Sequence, residues 1–165
     1  MANSLIIGKT KNKIIKEFIK DIDIIQAIGD EEITSLVGAE KLVNKCIFTY
    51  NQNPFTLNTV KTFITIQVHI PNSYLRNNTF VKPTIEIWII SHEKHMVVDN
   101  VKKITDNRND YLSVLIDDRL NGRKDIGFGE LKLISNIEGA FQKDYLYRKM
   151  VFEGTDLNNS LCAIE

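Results

Sequence analysis

Apolar residues recur at helical spacing near the start of the chain. Ile14, Ile15, Phe18, Ile19, Ile22, Ile25 and Ile28 fall on one side, and Lys16, Glu17, Lys20, Asp21 and Asp23 on the other. The spacing predicts a helix from about Lys13 to Ile28, capped by Thr10 or Asn12 and stopped by Gly29. Asp30 is then placed to cap a second short helix, Glu31 to about Lys45, with Ile33, Leu36, Val37, Leu42 and Val43 turned inward. Gly38 inside it costs about 1 kcal/mol of helix propensity and marks a break.

Beyond Lys45 the period changes from helical to alternating. Ile47 to Leu57 reads as a loop, with Asn51, Asn53 and Pro54 as breakers. Lys61 to Ile70 alternates cleanly, and Ile64, Ile66, Val68 and Ile70 share one face of a strand. The polar stretch from Pro71 to Pro83 is long for a connection in a small domain and reads as disordered or functional. A second strand, Thr84 to Ser91, is expected antiparallel to the first. Between His92 and Arg108 the pattern weakens to a short strand or an irregular crossover. Asn109 to Asn121 then predicts a helix packing through Leu112, Leu115, Ile116 and Leu120 and ending at Gly122. Two strands follow, Glu130 to Ser135 and Leu146 to Phe152, separated by a loop from Ser135 to Asp144 that contains Gly139. The last strand sets Leu146, Met150 and Phe152 against Tyr145, Tyr147, Lys149 and Val151. The order describes a single α+β domain over residues 1–165. It comprises a small mixed, mainly antiparallel sheet with a helix packed on one face, an N-terminal helical part over 1–45, and a flexible tail over 154–165.

Composition narrows the function classes. The 165 residues suit one domain with a real core. The 21 basic and 21 acidic residues cancel, which argues against a dedicated nucleic-acid binder and leaves little charge to oppose self-association. Cys46 and Cys162 show no CxxC or Cys/His spacing; they read as buried or idle thiols in a reducing compartment, with a single disulfide as the alternative. No apolar run approaches a membrane span, and the apolar part of Met1 to Gly8 is too short for a secretion signal.

Each candidate for chemistry has a structural explanation. His92 and His95 are spaced HxxH but follow a strand end without a third ligand, and read as solvated loop residues. Asp110, Asp117 and Asp118 could gather round a divalent cation, but charges on the outer side of an amphipathic helix are ordinary. Gly127-Phe128-Gly129 precedes a strand and not a helix, so it reads as a turn and not a phosphate loop. Tyr145, Tyr147 and Arg148 have the chemistry of single-strand stacking platforms and, equally, of protein interfaces, where Tyr and Arg are enriched. Trp88 lies in a strand that otherwise reads as core, and packing is its expected role. The expectation is therefore a protein without enzymatic activity, metal or cofactor.

In this arrangement the chain resembles the tail-completion or tail-terminator proteins of long-tailed bacteriophages. The resemblance rests on the helix end Ile25-Gln26-Ala27-Ile28-Gly29-Asp30, the strand Ile85-Glu86-Ile87-Trp88, the helix Asp110 to Leu120, and the final hairpin of Leu131 to Ile134 with Tyr145 to Phe152. The long stretches His92 to Asn107 and Pro71 to Pro83 depart from the leanest members. The resemblance implies a virion protein assembled in the host cytoplasm. It would form a homohexameric ring at the head-proximal end of a tail, between neck or connector proteins and the tail tube, with DNA only as passing cargo and no membrane. Tyr74, Arg76, Tyr145, Tyr147, Arg148 and Leu157 are the residues it would offer to neighbours. Two alternatives stay open: another neck or tail-tube subunit, and a small metal-dependent nucleic-acid-processing enzyme built on Asp110, Asp117 and Asp118.

Overall fold

Where the sequence suggests one helix from Lys13, the chain forms two. The computed structural model describes residues 4–53, 59–70, 80–98, 107–141, 144–154 and 156–157. Helix α1 runs Ser4–Ile19 and α2 runs Ile22–Ile28. The break falls at Asp21, whose side chain accepts from the backbone N–H groups of Asp23 and Ile24 and so caps α2. The Asp21 carboxylate is buried and ion-paired with Arg119. Restarting the helix there shifts the apolar phase: Ile14, Ile15 and Phe18 are buried, and in α2 Ile24 joins Ile25 and Ile28 in the core while Ile22 is only partly covered. Gly29 closes α2 in the left-handed conformation (φ 68°), as expected.

The helix expected over Glu31 to Lys45 does not form. Asp30 accepts from the N–H groups of Glu32 and Ile33, but the chain then takes positive φ at Gly38 and Asn44, which no α-helix tolerates. Only a 3-10 turn, Ala39–Leu42, remains. Ile33, Ala39 and Leu42 are buried, whereas Leu36 and Val37 are exposed, contrary to the helical reading. The segment expected as a loop after Cys46 opens with a short strand, β1 (Ile47–Phe48), parallel to β2 (Thr62–His69).

The sheet is mixed and mainly antiparallel, in the order β1-β2-β4-β6-β5, with β4 at Thr84–His92, β5 at Lys132–Phe141 and β6 at Tyr145–Glu153. A two-stranded pairing joins β3 (Phe80–Val81) to β7 (Asp156–Leu157). Helix α3 (Arg108–Leu120) lies with α1 and α2 on one face of the main sheet. There Ile64, Ile66 and Val68 of β2, Ile85, Ile87 and Ile89 of β4, and Met150 and Phe152 of β6 meet Ile14, Phe18, Ile24, Ile25, Leu112, Ile116 and Leu120. Leu115 packs against this core only partly. Phe128, between Gly127 and Gly129, is buried in the same core, so the glycine pair turns the chain around an anchored ring.

The β5–β6 hairpin is longer than expected. Ser135 to Phe141 is strand and not loop, in register from Ser135↔Val151 to Phe141↔Tyr145. A β-bulge between Leu133 and Ser135 takes up one extra residue, so the side chains beyond it change face. Gly139 does not end the strand, because the Tyr147 ring opposite it fills the missing side chain: a Cβ on Gly139 would lie 2.5 Å from Tyr147 Cζ.

Candidate assembly surface

Alternation along β6 sends its candidate residues to opposite faces. Tyr145 and Tyr147 point away from the helices, and Arg148 points toward them. Tyr145 is only 6% exposed. Its hydroxyl donates to the Thr59 carbonyl (3.2 Å), and its ring meets His92 edge-on. Tyr147 is half-buried and forms a trio with Trp88 (centroids 5.0 Å apart) and Phe141 (4.8 Å). Trp88 therefore packs on the face away from the main core. Lys149 Nζ lies over its ring at 5.0 Å and pairs with Glu86 at 2.9 Å, and the Trp88 indole N–H donates to the same carboxylate. The trio is a partly exposed aromatic patch with a neutralised charged rim, the composition found at protein interfaces.

On the helix side, Arg148 of β6 gathers residues from two other elements. Its guanidinium pairs with Asp110 of α3 and with Glu138 of β5 (3.3 Å), and donates to Asn136 (3.1 Å). Its Nε is buried without a hydrogen-bond partner among the described residues. Asn107 caps α3 by accepting from the Asp110 N–H and donates in turn to the Asp110 carboxylate (2.8 Å). A cavity of about 390 Å³ opens beside this group, with Met96, Asn109, Gly139 and Leu146 in its wall. Two residues weighed for different roles, Asp110 and Arg148, are thus brought together as an ion pair. Asp117 is elsewhere on α3. One of its carboxylate oxygens is buried without a partner among the described residues, and burial, with neighbouring Asp118, raises its pKa. Among the described residues, no group of three His, Cys, Asp or Glu side chains is arranged to share a metal ion.

The two loop histidines differ. Both are partly exposed; His92 accepts from the Lys94 N–H, whereas the His95 ring is engaged by the fold. His95 Nδ1 lies 2.9 Å from Thr62 Oγ1, which bonds Ser91 Oγ (2.7 Å); Ser91 donates to Asn109 (2.6 Å), and Asn109 donates to the Leu146 carbonyl. Burial, then the nearby Arg108 charge, lowers its pKa. Arg108 is itself buried and donates to the carbonyls of Ala27, His95 and Val97. This network ties the start of α3 to the end of α2 and to the sheet, and its members are spent on each other. Cys46 is buried beside Asp30, with its thiol pKa pushed up to about 12 by burial, so it is an inert packing residue.

The sequence does not say which strand forms the outer edge of the sheet; the structure places β5 there. Strand β5 has no partner on its far side among the described residues, and it exposes Ile134 (55%) and Ile137 (51%). The spacing Leu133-Ile134-Ser135-Asn136-Ile137 carries a β signal, but the bulge disrupts its alternation. Of the other interface candidates, Tyr74 and Arg76 lie outside the described residues, as does Cys162, and Leu157 is in β7 opposite Phe80. No helix among the described residues is long and apolar enough to cross a membrane. No curated protein matches the chain at significant similarity. A family model does match residues 12–153, from within α1 to the end of β6, and the chain belongs to the YomW family, a phage-related family.

Proposed function

We propose that this chain is a structural subunit of a phage tail. It would be a tail-completion or tail-terminator protein that closes as a ring, most simply a hexamer, between the neck or connector proteins and the tail tube, with DNA passing through as cargo. The observation that carries the reading is the β5 edge: ten residues of open strand with two half-exposed isoleucines beside a half-exposed aromatic trio. A lone soluble domain normally blunts or covers such an edge, whereas an assembling one uses it to recruit a neighbour. Membership of a phage-related family supports the same direction.

Light scattering and negative-stain microscopy of the purified chain, alone and with candidate neck and tube proteins, test it. Closed rings are the expected result. Open filaments would move the reading to a tube subunit, and a monomer under all these conditions would end it. The reading assigns no enzymatic activity and a place in the virion. EDTA-sensitive DNA cleavage abolished by Asp117→Ala would replace it with a nuclease.

A further inference from the structure

The β3–β7 pairing is not a separate sheet but a continuation of the β4–β6 ladder. Partners step without a slip from His92↔Tyr145 to Thr84↔Glu153 and resume in the same register at Val81↔Asp156 and Phe80↔Leu157. The interruption falls at Pro83, which has no N–H to give, and at Gly154, whose N–H still donates to the Pro83 carbonyl (3.0 Å). Gly154 is also where the Phe128 backbone crosses: a Cβ there would lie 2.2 Å from the Phe128 carbonyl oxygen. Lys82 and Glu153 brace the joint with an ion pair of 2.9 Å.

The flanking strands stop at this joint. Strand β2 ends at His69, opposite Thr84, and β5 begins at Lys132, opposite Glu153. The ribbon formed by residues 80–83 with 154, 156 and 157 therefore overhangs the sheet by roughly 13 Å at the usual strand rise. It has no strand on either side among the described residues. A two-stranded ribbon this short is marginal in water and gains stability by joining a larger sheet. It cannot join its own β5, because that strand runs from Lys132 back along β6, away from the overhang.

We propose that the overhanging ribbon is an assembly arm that adds to the β5 edge of a second copy of this chain. The acceptor stretch is Ser135–Phe141, seven residues with no proline that follow the bulge; the bulge itself disturbs only the start of the strand. Ile137 gives that stretch an exposed apolar side chain to cover. Donor and acceptor lie at different places on one chain, so the contact is head-to-tail and repeats until it closes. The inference rests on the assembly reading above and names the surfaces that would perform it.

The test uses two variants, each missing one half of the contact. Truncation after Gly154 removes the β7 half of the arm, and Ile137→Glu charges the acceptor edge at an exposed position next to Lys149. Each alone should weaken self-association by about 100-fold, the worth of a few strand hydrogen bonds and one covered side chain. Mixed together, they should form a one-to-one dimer, because one intact arm and one intact edge remain. Leu157→Asp is the second arm variant should truncation impair folding, which circular dichroism monitors. If wild type assembles and both arm variants assemble equally well, the arm assignment is wrong while the ring reading stands. Failure of the mixed variants to pair also overturns the assignment. A monomeric wild-type chain removes both.

Discussion

Replacing Gly139 by alanine tests the hairpin that carries the candidate surface. The added Cβ would lie 2.5 Å from Tyr147 Cζ and Oη and 2.8 Å from Cε1, so the ring must leave its place. Leaving breaks its contacts with Trp88 and Phe141, each worth about 0.5–1.5 kcal/mol beyond area burial, a loss of about 1–3 kcal/mol in all. Against this, alanine in a strand gains about 0.5–1 kcal/mol over glycine through lower unfolded-state entropy. The expected net effect is a destabilisation of about 0–2.5 kcal/mol, the difference between those two ranges. Urea unfolding reports it directly, because Trp88 is the sole tryptophan and sits in the disturbed cluster. A double-mutant cycle isolates the cause. In a Tyr147→Ala background, Gly139→Ala should be neutral or stabilising, since no ring remains to displace. Additive effects in the two backgrounds, or stabilisation by Gly139→Ala in the wild type, would refute the assignment of Gly139 to a strand roofed by Tyr147.

Three further outcomes are expected. Ile116→Asp places a charge at a fully buried position of α3 and should unfold the domain at a cost of several kcal/mol, seen as loss of cooperative thermal melting; a folded, soluble variant would show the face to be misassigned. Gly29→Ala sets a Cβ 2.3 Å from Arg108 Nη1 on a backbone of φ 68°, so it strains the α2 C-cap and displaces a guanidinium held by three carbonyls. It should cost about 2–4 kcal/mol in chemical denaturation, and Gly29→Asn, which tolerates this φ better than alanine but brings the same Cβ against Arg108, should not restore wild-type stability. His95 has a folded-state pKa below its unfolded value, through burial first and then the Arg108 charge, against the pull of the Gly29 backbone bond and Glu31. Its contribution is therefore full above the unfolded value and is lost as pH falls through the folded one, so wild type should lose more stability than His95→Gln between about pH 7.5 and 5.5. Parallel losses in the two proteins would remove His95 from the account.

The elements with unbroken periodicity were legible from the chain alone. Strands β2, β4 and β6, helix α3 and the turn at Gly29 lie close to their expected places, because the periodicity or turn chemistry that marks each is local and unbroken over its length. The residues of the candidate surface were partly legible: Tyr147 and Arg148 have the chemistry, but that they face opposite sides of one hairpin, in two different clusters, is a fact of the ladder register.

What only the tertiary structure decided are the places where a distant partner outweighs a local preference. Asp21 splits an apparently continuous helix because Arg119, 98 residues away, ion-pairs with its buried carboxylate. Residues 31–45 abandon a helical pattern for positive φ at Gly38 and Asn44, and the following Ile47 and Phe48 add a parallel strand to β2. Gly139 stays in a strand because Tyr147 covers it, and Pro83 and Gly154 interrupt a ladder that resumes beyond them in the same register. Periodicity records which residues seek burial. It does not record which strand ends at a sheet's edge, and for this chain that unpaired edge is the feature on which the proposed function turns.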